Sequence, residues 1–148
     1  MKIVLYRPEI PQNTGNIVRT CSAAQAGLVL VHPLGFSTSD RQLKRAGLDY
    51  WEGVKVEEIH DLDAYLLNTD SRFYFFSSKA TTRYTDISYT ENDLLIFGSE
   101  TKGLPPHFWE KWREFFVTIP IATNARCLNL SNAAAIALFE AKRQLGCR

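Results

Sequence analysis

Residues 119–141 read IPIATNARCLNLSNAAAIALFEA, and their organisation decides the fold. An apolar run at 115–119, FFVTI, has the branched and aromatic content of a buried strand. A polar, irregular segment follows at 122–129. Then comes a helix built from small residues, with Ala133, Ala134, Ala135 and Ala137 in close succession. Arg126, Asn129, Ser131 and Asn132 crowd into seven positions beside these alanines. Polar groups next to a helix start that packs closely read as a binding loop at the end of a strand.

Working outward, the same alternation recurs along the chain. Short apolar runs at 3–6 (IVLY), 28–32 (LVLVH), 73–76 (FYFF) and 94–97 (LLIF) predict strands buried on both faces of a parallel sheet. Residues 54–56 predict a weaker edge strand. Helices are predicted between the strands. One is capped by Asn13, runs to Ala26 and stops at Gly27, with Ile17, Cys21 and Ala24 toward the sheet. A second opens at Ser39 or Asp40 and ends at Gly47, and a third runs from Asp61 to Asn68. A fourth starts at Pro105 or Pro106 and runs to Trp112. The last is capped by Ser131, has Lys142 and Arg143 in its final turns, and meets Gly146 just beyond. Strands alternating with helices predict an α/β fold with a mostly parallel, doubly wound sheet.

The bulk properties narrow the function. A chain of 148 residues suits one domain, 1–148, with a single core. Apolar residues make up 45% and charged residues 22%, and the formal net charge is +1. That balance gives no electrostatic vote for nucleic acid. Arg41, Lys44 and Arg45 read either as a solvated helix face or as a small basic patch. Cys21, Cys127 and Cys147 are widely spaced and form no CxxC, which argues against a zinc site or a disulfide framework and fits a reducing cytoplasm. The histidines His32, His60 and His107 lack metal-ligand spacing. The opening apolar run is stopped by Arg7 and Pro8, too short for a signal peptide. No stretch approaches the ~18 apolar residues of a membrane helix.

Chemistry is expected beyond the carboxyl ends of the strands. Phe76 is followed by Ser77, Ser78 and Lys79. Phe97 is followed by Gly98-Ser99-Glu100-Thr101-Lys102-Gly103. Ile119 is followed by Pro120 and the polar segment. Gly98 alone is equally a plain strand-to-loop turn, and Glu100 is equally a local helix cap. Three such ends together point to a site. The loop at 8–16, PEIPQNTGN, is also rich in turn residues. Arg19 behind it reads either as a surface ion pair or as a phosphate contact near a helix N-terminus. There is no GxGxxG after the first strand, no GxxxxGK[ST] and no GxSxG.

Three segments, 13–19 (NTGNIVR), 95–105 (LIFGSETKGLP) and 119–121 with 126–135 (IPI and RCLNLSNAAA), resemble in order the three signature motifs of the SPOUT superfamily of RNA methyltransferases, in its ribose 2′-O-methyltransferase branch. The resemblance spans essentially the whole chain. Within that branch the opening IVLYRPEIPQNTGNIVRT is most similar to the enzymes acting on the wobble nucleotide of tRNA, a cytidine or modified uridine. It implies a deep trefoil knot near the C-terminus, a homodimer, a tRNA substrate and S-adenosylmethionine as cofactor, with no metal and no membrane. Carried over by motif position, the implied cofactor contacts are Phe76, Gly98, Ile119 and Cys127, with Leu128 close by. Cys127 departs from the small hydroxyl residue often found there. The implied catalytic residues are Arg19, Glu100 and Asn132, with Ser131 either ordering the site or only capping its helix. Action on ribosomal RNA or another tRNA position, and a non-catalytic RNA- or cofactor-binding role, are the alternatives. The three residues Arg19, Glu100 and Asn132 argue against the second.

Overall fold

The computed structural model describes residues 1–39, 41, 43, 45 and 51–146. Six strands form one parallel sheet: β1 (Lys2–Tyr6), β2 (Gly27–Val31), β3 (Val56–Ile59), β4 (Phe73–Phe76), β5 (Leu94–Phe97) and β6 (Phe116–Val117). Their order across the sheet is β3-β2-β1-β5-β4-β6, and every pairing is parallel. From β1 the chain moves outward through β2 to the β3 edge, then returns to build β4, β5 and β6 on the other side. The reversal leaves a crevice at the carboxyl ends of β1, β5 and β4, where open α/β sheets bind ligands.

Period-two alternation in the strands divides the core in two. Ile3, Leu5, Leu28, Leu30, Leu95 and Phe97 face one way and pack with Ile17, Val18 and Cys21 of α1 (Pro11–Ala23). Val4, Tyr6, Val29, Val31, Leu94 and Ile96 face the other. There they meet Leu62 and Leu66 of α2 (Leu62–Leu67) and Phe108 and Trp112 of α3 (Pro106–Trp112). Ala134, Ala137, Leu138 and Ala141 of α4 (Leu130–Gln144) are fully buried with the first group. Their spacing makes one helical stripe, and the alanines let α4 approach α1 closely. Burial also pushes the Cys21 thiol up to about 12, so this cysteine is a packing residue rather than a nucleophile.

Several expected boundaries are corrected. Asn13 does not cap α1: the helix already begins at Pro11, with Ile10 at its N-cap, and Asn13 lies buried in the first turn. Gly27 does not stop α1. The helix ends at Ala23, Gln25 takes the left-handed conformation at φ 50°, and Gly27 opens β2. Asn129, not Ser131, caps α4. The edge strand is 56–59 rather than 54–56. The last strand is shorter than 115–119, because Phe115 closes a 3-10 turn and Thr118 pairs only as a bridge with Arg83. Asp61 does cap α2, accepting from the Ala64 N–H at 3.0 Å, and Gly146 follows α4 at φ 73°. Of the helix expected between Ser39 and Gly47, the described residues Arg41, Leu43 and Arg45 are helical, while Lys44, the end at Gly47 and Cys147 lie outside the described residues.

Asp93, fully buried just before β5, is the principal buried carboxylate among the described residues. It accepts from Arg72 Nε at 3.1 Å, from the Arg72 terminal nitrogen at 2.9 Å and from the Thr90 N–H at 2.8 Å. These bonds fix the starts of β4 and β5 together. The Asp93→Ala variant leaves the Thr90 N–H without its acceptor and takes the carboxylate from half-exposed Arg72, which keeps its bond to the Ser88 carbonyl, an expected loss of about 2–4 kcal/mol. Urea denaturation measures it, and an unchanged midpoint contradicts the assignment.

Candidate functional site

A cleft of about 840 Å³ opens at the carboxyl ends of β4, β5 and β6. Its walls come from three segments far apart in sequence: the ends of β4 and β5 with their loops, the 118–130 stretch, and the start of α1. Phe76 and Phe97 end adjacent strands, their rings stacked with centroids 4.7 Å apart, and form an apolar floor. Ile119, Ile121, Leu128 and Ala133 add apolar wall. Leu128 is 39% exposed.

Gly98 is forced by geometry. The loop after β5 turns back so that the Ser99 and Gly103 backbones exchange hydrogen bonds at 3.3 and 2.9 Å. A Cβ on Gly98 would lie 2.2 Å from the Gly103 carbonyl carbon and 2.4 Å from the Leu104 nitrogen. Gly103 makes the turn with φ at 65°, where glycine carries no steric cost. The result is a narrow strip of bare backbone against the cleft.

A relay of side chains holds the three segments together. Glu100 accepts from the Glu9 N–H at 2.7 Å, the Ile10 N–H at 3.1 Å and the Asn13 side-chain amide at 3.1 Å. Glu9 answers by accepting from Thr101 Oγ1 at 2.7 Å and the Thr101 N–H at 3.2 Å. Asn13 Oδ1 accepts from Asn129 Nδ2 at 3.0 Å. Asn129 Oδ1 in turn accepts from the Ser131 N–H at 2.9 Å, Ser131 Oγ at 2.6 Å and the Asn132 N–H at 3.4 Å. The direction of the relay is fixed at both ends. A carboxylate only accepts and a backbone N–H only donates, so each asparagine has one orientation that satisfies its neighbours. Glu100 does cap a helix start, but that of α1, some 90 residues earlier in the chain.

All five expected cofactor residues, Phe76, Gly98, Ile119, Cys127 and Leu128, line this cleft, and so does Glu100. Cys127 Sγ stands 3.8 Å from Ser78 Oγ, close enough for a weak hydrogen bond. Arg19 and Asn132 lie elsewhere, on exposed faces of α1 and α4 outside the lining. Sequence reasoning placed Asn129 in the binding loop but missed Asn13 as a member of the site and the bond between the two. The signal for Asn13 was present, since it opens a motif segment, but it read as a local cap. Among the described residues no group of histidine, cysteine or acidic side chains is placed to hold a metal ion, and no helix is long and apolar enough to cross a membrane.

The family model described as the SpoU rRNA Methylase family matches residues 1–139. The tRNA (cytidine(34)-2′-O)-methyltransferase of Escherichia coli strain K12 is 42% identical over 148 residues, covering 99% of this chain and 94% of that protein. A solved structure described as "Structural insights into the 2-OH methylation of C/U34 on tRNA" superposes with a TM-score of 0.90 at 41% identity, covering 99% of this chain and 97% of that one. The SpoU methyltransferase AviRb from Streptomyces viridochromogenes, solved in complex with the cofactor AdoMet, superposes with a TM-score of 0.86 at 25% identity, covering 98% of this chain and 57% of that one.

The relay fixes what Glu100→Gln does. A glutamine amide must turn its NH₂ toward one of three donors, so at least one of the Glu9, Ile10 or Asn13 bonds is lost. The expected cost is about 1–2 kcal/mol at this half-buried position. Chemical denaturation reads it; stability equal to wild type contradicts the relay.

Proposed function

Because this chain belongs to the SpoU rRNA methylase family, we propose that it transfers a methyl group from S-adenosylmethionine to the ribose 2′-hydroxyl of nucleotide 34, the wobble position, of tRNA. The observation that carries this reading is the meeting of the three motif segments, far apart in sequence, at one cleft. Close likeness along the whole length to enzymes of that activity supports the substrate.

The cleft fits the cofactor on its own terms. Its volume lies within the roughly 300–1,000 Å³ of small-molecule sites. Apolar walls at Phe76, Ile119 and Leu128 face the backbone strip at Gly98, so flat and polar parts of one ligand both find partners. We assign Phe76, Gly98, Ile119, Cys127 and Leu128 to holding it. When bound, the cofactor supplies a sulfonium-activated, electrophilic methyl group. The protein must align the 2′-hydroxyl and manage the charge that develops on its oxygen.

Arg19 takes that second task. A guanidinium stays charged at any physiological pH and is a poor base, so it stabilises the developing alkoxide rather than removing the proton. The proton leaves to a phosphate oxygen of the RNA or to water. Glu100 and Asn132 order the site, Glu100 through the three bonds already described and Asn132 at the first turn of α4.

We further infer a homodimer. Asn132, Ile136 and Phe139 share one face of α4, and Ile136 and Phe139 are 38% and 50% exposed. An apolar face of this kind is covered by a second copy, and Arg19 and Asn132, outside the cleft of one chain, then stand near the interface. The basic side chains of Arg19, Arg41 and Arg45 extend the RNA footprint across both copies. The single domain is read as closing a trefoil knot, with α4 drawn through the loops that the relay ties together, and the enzyme as cytoplasmic.

The test is incubation with labelled S-adenosylmethionine and total tRNA, followed by mapping of the modified nucleoside. A 2′-O-methylated nucleotide 34 is expected; label in ribosomal RNA alone, or in no RNA, overturns the reading. The Arg19→Ala variant is expected to lose methyl transfer by at least about a hundredfold while cofactor affinity stays within about twofold. Normal turnover in that variant removes Arg19 from the mechanism. The Gly98→Ala variant is expected to weaken cofactor binding by at least about tenfold, because its Cβ displaces the Gly103 backbone. Calorimetric titration with S-adenosylmethionine reads this, and unchanged affinity contradicts the assigned cradle.

A further inference from the structure

A second cleft, of about 490 Å³, lies beside the first. The two share one wall. Ser99, Lys102, Gly103, Leu104, Pro105 and Pro106 line both. The loop after β5 is therefore a partition with the assigned cofactor cleft on one side and the second cleft on the other. The opposite wall of the second cleft is Tyr6 at the end of β1, Arg7 and Glu9 just after it, and Pro33, Leu34 and Gly35 after β2.

This wall is built by the backbone. The Arg7 N–H donates to the Val31 carbonyl at 3.0 Å, and the Gly35 N–H donates to the Pro8 carbonyl at 2.9 Å. Gly35 approaches so closely that a Cβ there would meet Glu9 Cα at 2.7 Å. Arg7 itself is held at φ 50°, a conformation that ordinary side chains rarely adopt. Its guanidinium lies over the Tyr6 ring, 5.1 Å from the centroid. The cation is thus stationed at the cleft rather than free to wander. Lys102 brings a second positive charge from the partition. Glu9, the single acid of the lining, spends both carboxylate oxygens on Thr101. The balance of charge open to the cleft is positive.

We propose that this second cleft is a phosphate subsite for the RNA chain, in which Arg7 and Lys102 hold backbone phosphate next to the nucleotide being methylated. The inference rests on the tRNA reading above and adds to it the place where the polynucleotide is gripped. A guanidinium braced on an aromatic ring presents its donor edge to phosphate oxygens, the geometry that favours arginine for such contacts. A phosphate bound across a partition one loop thick places the neighbouring ribose at the rim of the cofactor cleft. A small net charge is then sufficient for the enzyme, because the cations that matter are few and fixed.

The experiment compares wild type with Arg7→Gln, which keeps a polar, hydrogen-bonding side chain without the charge, and with Arg7→Gly, which suits the positive φ. Both RNA binding, by fluorescence anisotropy with an anticodon stem-loop RNA, and turnover are measured over a range of salt. The expected result is a KM for RNA raised about tenfold in both variants. The slope of log affinity against log salt falls by about 0.7 to 0.9, one phosphate contact. Both kcat at saturating RNA and cofactor affinity stay at the wild-type values, and Arg7→Lys recovers most of the RNA affinity. If wild type methylates the RNA and both variants match it in KM and salt slope, the subsite is wrong and the tRNA reading stands. If wild type binds the RNA without methylating it while the variants lose affinity, the subsite stands and the tRNA reading falls. If wild type does not bind the RNA, both fall.

Discussion

Everything at the functional end of this molecule depends on where the Glu100 carboxylate points. It leaves the loop after β5, crosses to the chain just ahead of α1, and takes up two backbone N–H groups and one side-chain amide there. Those groups otherwise face the start of a helix whose own N-cap, Ile10, offers no side-chain acceptor. A negative charge at that end also suits the helix dipole. Through Asn13 and Asn129 the same grip reaches the first turn of α4. Three loops that line one cleft are thereby held at fixed separation by polar bonds, with no contribution from a rigid element of their own.

The division of labour follows from chemistry. The apolar strands supply position, since alternate residues are buried on opposite faces and the sheet has no freedom of register. The glycines supply approach, most plainly at Gly98, where the next loop occupies the space of a methyl group. The carboxylate and amides supply orientation. The charge we propose to act on the 2′-hydroxyl, that of Arg19, is kept off these parts. Arg19 is on an exposed face of α1, and neither it nor Asn132 lines the cleft formed by one chain. A guanidinium buried among the relay amides would compete for Glu100 and undo the tie.

Much of this was legible in the sequence, for physical reasons that differ by element. The runs at 73–76 and 94–97 were readable as strands with their bounds because they are wholly apolar and flanked by turn residues. Asp61 was readable as a cap because a cap acts on N–H groups two or three positions away. The cleft residues Phe76, Gly98 and Ile119 were readable because strand ends are where parallel sheets bind. Asn13 was misjudged because local rules assign a polar residue at a helix start to its nearest backbone. Asn13 instead bonds across the fold to Glu100 and Asn129, and Asn129 takes the capping position that Ser131 was expected to hold. The second cleft had no signature at all, because Arg7 and Lys102 meet only once β1 and β5 are paired.

The tie between Glu100 and the start of α1 also sets an order of events during synthesis. The residues that complete the entrance to this helix are 90 positions away at Glu100, and the second link, from Asn13 to Asn129, spans 116 positions. While the ribosome is still making the middle of the chain, α1 has its apolar stripe but not its partner. Its leading turn is open to water until β5 has emerged and docked beside β1. Contacts this distant in sequence are slow to form, since the closure of a long loop must come before the contact can reward it. The nascent chain therefore remains unfinished at α1 until the start of α4 has been translated, and the cleft comes into being as a late event of folding rather than as a template for it.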